Sequence, residues 1–313
     1  MKIFHNLEDI RNIKKPVVTT GSFDGVHVGH KTIIRRINTL ARQIGGESVL
    51  VTFHPHPRKV LYPDTAGKNL LLINSQEEKI ELLRKTGLDN LVIINFTIEF
   101  SRLSSIDFIR NILVGKLHAS IVVIGFNHHF GHNAEGDFNY LYELGKYYNF
   151  KVEEIPEQDI HNETVSSTLI RNALLEGKIE RATAYLDHHY MIIGKMFKME
   201  ESLVFADFPT INILIEEECK LIPPDGVYAV SAQLKDAVYK GLVNIKNFSQ
   251  KNERSLKDIS VELHAFGTDT YPTDENVTLL FAKRIRDERT FSGLEELKKQ
   301  LASDKAIVED LIY

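Results

Sequence analysis

Two histidines, three apart, dominate the chemistry of the string Gly21-Ser22-Phe23-Asp24-Gly25-Val26-His27-Val28-Gly29-His30. Side chains three apart share a face on the first turn of a helix, so His27 and His30 can act together. Gly29 between them lets a phosphate approach the backbone. If the string joins a strand to a helix, the first helical N–H groups and the helix dipole face the same ligand. Two imidazoles, several N–H groups and a glycine turn suit a triphosphate, with Gly21, Phe23, Asp24 and Gly29 around it. A zinc site is the rival reading, but no third ligand stands at a characteristic spacing.

Four further segments carry polar or aromatic groups. In Thr52-Phe53-His54-Pro55-His56-Pro57-Arg58, two prolines stiffen a loop, and His56 and Arg58 are suited to phosphate. The plainer reading is a rigid surface loop. In Gly125-Phe126-Asn127-His128-His129-Phe130-Gly131, Asn127 offers a donor and an acceptor to a base or ribose edge. Phe126 and Phe130 either stack on a flat ring or pack in the core. Gly136-Asp137 reads as a helix N-cap. In Val165-Ser166-Ser167-Thr168-Leu169-Ile170-Arg171, Ser167 and Thr168 begin a helix, and Arg171 one turn on can reach a phosphate held over that end.

These segments need a frame that brings them together. Residues 16–20, 48–53, 91–95, 121–125 and 151–155 are apolar or β-rich runs, and helical spacing occupies 30–44, 76–85, 106–117 and 140–148. Strands alternating with helices predict a doubly wound parallel α/β sheet, Rossmann-like, with ligands at the carboxyl ends of its strands. Two short helices follow at 168–176 and 179–186. Beyond residue 187 the pattern changes to short β-branched or alternating runs at 212–215, 226–232, 239–245, 259–266 and 277–282, then a helix at 293–302. That predicts a small β-barrel with a terminal helix. The expected domains are 1–186 and 187–313.

With 313 residues, 43% of them hydrophobic, the chain can bury a core without staples. A formal net charge of -5 argues against a nucleic-acid partner. The single cysteine, Cys219, excludes an internal disulfide and a cysteine zinc cluster. The polar first fifteen residues are neither a signal nor a transit peptide, and no apolar run approaches the roughly 20 residues of a membrane span. A cytoplasmic protein without a membrane partner is expected, and its oligomeric state is not set by the sequence.

On these motifs the chain resembles the bacterial bifunctional riboflavin kinase/FAD synthetases over nearly its whole length, most closely in the first half. GSFDGVHVGH, TFHPHPR, GFNHHFG and SSTLIR followed by Asn172-Ala173-Leu174 stand in that family's order and at its spacings. The resemblance implies an FMN adenylyltransferase of the HxGH nucleotidyltransferase superfamily over 1–186 and a riboflavin kinase-like barrel over 187–313. It carries the family's phosphate-binding and transition-state residues to His27, His30, Ser167, Thr168 and Arg171, and its nucleotide or flavin position to Asn127. In the second half it carries Mg–ATP contacts to Thr210 and Asn212, with Thr210 on Mg²⁺, and the catalytic base to Glu262. Pro223 to Val230 and Arg286 to Phe291 also fit.

The second half departs from the family pattern where its glycine-rich run should be. Of four glycines only Gly194 remains, Met199, Leu203 and Asp207 stand at the others, and Val204 replaces an arginine. Side chains at such positions obstruct a phosphate, and Asp207 adds negative charge. The family's N-I-G followed by P-T-F has become Asn244-Ile245-Lys246-Asn247-Phe248. The implied reaction is ATP plus FMN giving FAD and pyrophosphate, with Mg²⁺ on the phosphates and an impaired riboflavin kinase. The substrates are then ATP and FMN, with riboflavin for the kinase half. A fully active bifunctional enzyme, another HxGH nucleotidyltransferase, an aminoacyl-tRNA synthetase and a non-catalytic flavin-binding regulator are the alternatives.

Overall fold

A computed structural model describes residues 1–126, 129–132, 135–160, 163–198, 209–248, 258–268 and 270–312, with Asp159 and Ile160 as backbone only. By packing they form two units: Met1–Leu70 with Lys79–Ser166, and Leu71–Glu78 with Ser167–Tyr313.

The first unit is built on a parallel sheet. Its strands are β1 (Lys2–Phe4), β2 (Val17–Thr20), β3 (Ser48–His54), β4 (Asn90–Asn95), β5 (Ile121–Gly125) and β6 (Lys151–Ile155), in the order β1-β4-β3-β2-β5-β6. The inner strands are apolar along their whole length because helices cover both faces. Val17–Thr20 is buried throughout, as are residues 48–52 and 90–94. β1 is a sixth strand beyond the five predicted. It pairs Lys2–Phe4 with Asn90, Leu91 and Val92, and at three residues it is too short to show a period.

Helix α1 (Val28–Ile44) follows β2, buries Ile34, Ile37, Leu40 and Ala41, and stops at Gly45 in the left-handed conformation. Next come α2 (Pro57–Leu61), α3 (Gln76–Arg84), α4 (Ile98–Ser101) and α5 (Ser105–Asp107). α5 runs directly into a π-helical stretch, Phe108–Lys116, which buries Phe108, Ile109, Ile112 and Leu113 against the sheet. α6 (Phe138–Tyr148) precedes β6, and a two-stranded ribbon, β7 (Asp159–Ile160) with β8 (Glu163–Thr164), follows it. The chain winds outward in both directions from β2 and β5, which makes their carboxyl ends the topological switch point.

The second unit opens with α7 (Ser167–Leu175) and α8 (Ile179–Leu186). A closed antiparallel barrel follows: β9 (Tyr190–Phe197), β10 (Ile211–Leu214), β11 (Gly226–Leu234), β12 (Ala237–Asn247), β13 (Ile259–Ala265) and β14 (Asn276–Arg286), in the order β10-β13-β12-β11-β14-β9. Inward residues alternate with outward ones, and Tyr190, Tyr228 and Phe281 pack rings inside at centroid distances of 5.5 to 5.7 Å. β9 was not among the predicted strands. The terminal helix, α9 (Leu294–Leu311), continues well past the predicted 302, because buried Asp304 pairs with Arg286 at 2.8 Å and Val308 packs on Val227, Ala229 and Leu242.

Residues 71–78 belong to this unit through main-chain and charged contacts. Leu72 N–H donates to Cys219 at 2.7 Å, and Leu221 N–H donates to Leu72 at 2.8 Å. Lys220 is wholly buried, and its ammonium donates to Glu78 Oε2 (2.6 Å), Ile73 O (2.6 Å) and Met191 O (2.8 Å). The Tyr190 ring lies 4.4 Å below it. Among the described residues no helix is long and apolar enough to cross a membrane.

Candidate active site

The turn after β2 is strained and pinned. Phe23 (φ 50°) and the β-branched Val26 (φ 42°) both sit in the left-handed region, beside Gly25 at φ 91°. Conformations of this kind persist when the surroundings fix them. Here Gly21 N–H donates to Val51 O at 3.0 Å, and the Thr52 hydroxyl donates to Ser22 O at 3.1 Å. Phe23, Asp24, Val26 and His27 are buried as a result.

His27 is the N-cap of α1, and its own side chain makes no capping bond to the first-turn amides. His27 and His30 stack with ring centroids 3.6 Å apart, and Phe23 covers His30 at 4.5 Å. A Cβ at Gly29 would lie 3.2 Å from His27 Cε1, so glycine there leaves space for the imidazole. His30 Nδ1 is buried without a protein partner. Burial, then His27, then Lys79 hold the His30 pKa well below its ordinary value, so the ring is neutral near pH 7. A neutral imidazole still offers one N–H to a phosphate oxygen.

Lys79 is the residue that the motifs did not reveal. It lies on α3 in the first unit, is 8% exposed, and points its ammonium at Ser22 O (3.4 Å) and Thr52 Oγ1 (3.5 Å). A buried lysine has no sequence signature, because lysines are usually exposed.

Beside the turn, at the same carboxyl edge, a cavity of about 480 Å³ is lined by Thr20, Phe53, Phe96, Phe100, Phe108 and Phe130 among others. Neighbouring rings meet at 5.5 Å (Phe53–Phe96), 5.6 Å (Phe96–Phe100) and 6.2 Å (Phe108–Phe130). Phe126 is half exposed and does not line it. Pro57, Leu61 and Tyr62 form one wall, because the predicted rigid loop contains the short helix α2. His56 caps that helix by accepting from Arg58 N–H at 3.2 Å, and Arg58 is exposed. Asp137 is an N-cap, as read, accepting from Tyr140 N–H at 2.8 Å. Asn127 lies outside the described residues.

Ser167, Thr168 and Arg171 stand on α7 in the second unit, whereas His27 and His30 belong to the first. Arg171 Nε donates to Leu71 O at 2.8 Å. In the barrel, Asn212 of β10, Glu262 of β13 and Asn244 of β12 are direct cross-strand partners in one polar row. Ser260 Oγ stands 3.5 Å from Asn212 Oδ1 and 3.4 Å from Glu262 Oε1. Thr210 precedes this row. Met199, Leu203, Val204 and Asp207 lie outside the described residues. A cavity of about 490 Å³ is bordered by Lys246 of β12, by Glu288, Arg289 and Phe291 of the Arg286–Phe291 stretch, and by Leu294 at the start of α9.

A family model described as FAD synthetase matches residues 9–169, and one described as riboflavin kinase matches residues 186–312. Curated relatives span nearly the whole chain. The bifunctional riboflavin kinase/FMN adenylyltransferase of Buchnera aphidicola (subspecies Acyrthosiphon pisum) is 33% identical over 99% of this chain and 97% of its own. That of Bacillus subtilis is 33% identical over 93% and 90%, and that of Escherichia coli K12 27% over 97% and 96%. A solved structure from Streptococcus pneumoniae, titled a macrolide-efflux protein, superposes with a TM-score of 0.85 at 25% identity and covers 98% of both chains.

Proposed function

Because the chain belongs to the bifunctional riboflavin kinase/FMN adenylyltransferase family, we propose that its first unit joins AMP from ATP to FMN, releasing pyrophosphate. The observation that carries this reading is the stacked His27–His30 pair at the N-terminus of α1, beside a phenylalanine-lined cavity. The cavity suits the flat, largely apolar ring system of a flavin, and the helix head suits phosphates. An FMN phosphate oxygen attacks the α-phosphorus and the bond to the pyrophosphate oxygen breaks. That nucleophile is already ionised at neutral pH, so the protein's task is positioning and charge stabilisation. His27 and His30 donate N–H to phosphate oxygens, and Gly21, Phe23, Asp24 and Gly29 shape the binding surface of the first unit; the family resemblance adds Asn127 as a nucleotide or flavin contact and Ser167, Thr168 and Arg171 as phosphate contacts. His56 and Arg58 are assigned to substrate more weakly, since His56 is occupied in capping α2.

We place the functional division at 186/187 and assign riboflavin phosphorylation to the barrel, with Glu262 as base and Thr210 and Asn212 at the metal-bound phosphates. Mg²⁺ supplies charge neutralisation when bound with ATP, and hydroxyl and amide oxygens suit it. Among the described residues no three His, Cys, Asp or Glu groups converge to hold an ion alone, which fits a metal carried in with the phosphates. The kinase is proposed to be weak, because Met199, Leu203 and Asp207 stand where the family pattern has glycine. The contrary reading, full bifunctionality, is favoured by relatives that cover both halves and bear the bifunctional name.

Product assays on the full chain with ATP and Mg²⁺ test both parts. With FMN, FAD and pyrophosphate should form in equal amounts. With riboflavin, FMN should accumulate far more slowly. No FAD from FMN sinks the first proposal, and robust FMN from riboflavin sinks the second.

A further inference from the structure

We infer that Lys79 is a positioning residue for adenylyl transfer: its ammonium pins the Ser22 carbonyl of the strained turn that leads into the two histidines and places a buried positive charge 3.4 Å from it. This deepens the reading of the first unit and rests on it.

Two observations carry the inference. The turn holds Phe23 and Val26 at positive φ, an arrangement that relaxes unless several contacts fix it. Ser22 O is the anchor, reached by the Thr52 hydroxyl at 3.1 Å and by Lys79 Nζ at 3.4 Å, while Lys79 Nζ also lies 3.5 Å from Thr52 Oγ1. Lysine, threonine and turn thus form one buried polar knot, drawn from α3, β3 and the end of β2. The second observation is the setting of His30. Beyond burial, His27, stacked at 3.6 Å, and then Lys79 disfavour its charged form, with Phe23 closing another side and buried Asp24 on the same turn. A cation at Lys79 disfavours a second positive charge on the ring pair. The His30 imidazole then remains a neutral, oriented donor, whose bond strengthens as charge develops on the reacting phosphate.

The test uses the full chain with Lys79→Met, Lys79→Gln and Lys79→Arg. FAD formation from ATP and FMN is measured beside the ¹⁵N-imidazole NMR titration of His30. Lys79→Met should lower kcat about 10- to 100-fold, with a smaller change in KM, as expected for misplaced groups. Its His30 midpoint should move to higher pH. Lys79→Arg should keep both near wild type. Lys79→Gln retains a donor without the charge, so it should fold and still move the midpoint, and it carries the test if the methionine variant does not fold. An unmoved midpoint in the uncharged variants overturns the inference, even if activity falls. A wild-type protein that makes no FAD overturns the adenylyl-transfer reading instead, and a moved midpoint in that protein still supports the hold of Lys79 on His30.

Discussion

His27 and His30 face each other because the turn before α1 leaves the chain no other direction, and that proximity makes two charges on the pair costly. The expected consequence for catalysis is specific. His27→Ala or His30→Ala in the full chain should reduce the rate of FAD formation by about 10²-fold or more, the scale of losing an oriented transition-state donor. Near-normal turnover in both variants removes the histidines from the mechanism. Stability carries a second signature. The folded pKa of His30 lies well below its ordinary 6.5, chiefly through burial, and that of half-buried His264 is also lowered, again chiefly by burial. Between the folded and unfolded values the unfolded chain binds more protons, so stability falls as pH drops below about 6.5. Calorimetry should show a lower Tm at pH 5 than at pH 7.5, and His30→Leu should flatten part of that slope. The histidines were legible in the sequence because glycines punctuate them. Lys79 was not, since nothing in Glu77-Glu78-Lys79 distinguishes a buried lysine from the solvated face of a helix.

At the scale of elements, the segment before α3 shows how a local signal takes on a distant task. Ser75 and Glu78 form a capping box: Ser75 Oγ accepts from Glu78 N–H at 3.2 Å, and Glu78 Oε2 accepts from Ser75 N–H at 2.9 Å. The same carboxylate receives Lys220, and its other oxygen accepts Ile193 N–H from β9 at 2.9 Å. Both charges are wholly buried. Breaking such a pair strands one charge in the interior, and Glu78→Gln or Lys220→Met should each cost about 3–5 kcal/mol in denaturant unfolding. The double variant should cost much less than the sum. Additive losses would show that the pair is not one unit. The Ser-x-x-Glu spacing was readable, but its barrel partner was not, because Lys220 looks like any charged residue in a loop. The long sheet strands announced themselves by unbroken apolar runs. β9 did not, since its second half, from Gly194, reads as the opening of a glycine-rich run. α9 outran its expected end because Ser303-Asp304-Lys305 looks like a polar stop until Asp304 is seen buried against Arg286.

For the whole molecule, the division of labour and the division of packing follow different lines. The change of texture near residue 187, and family models spanning 9–169 and 186–312, underlie the proposed division of chemistry. Packing assigns 71–78 and 167–186 to the unit that contains the barrel, so the boundary between units falls inside α3, between Glu78 and Lys79. A fragment cut at 187 therefore loses more than the first half's chemistry. It loses Glu78, whose carboxylate pairs with Lys220 at 2.6 Å, and the main-chain bonds of Leu72 to residues 219 and 221. It also loses α8, whose Ala182, Tyr185 and Leu186 are buried in that unit. A loss of about 3–5 kcal/mol from the ion pair alone is a large share of the roughly 5–15 kcal/mol that holds a domain together. The isolated 187–313 fragment should lack a cooperative thermal transition, or melt far below the full chain, when both are followed by circular dichroism. Adding Lys220→Met should cost the fragment much less than it costs the full chain, because the Glu78 carboxylate is already gone. A wild-type fragment that melts cooperatively within a few degrees of the full chain would show that the barrel is self-sufficient and that residues 71–78 merely lie on it.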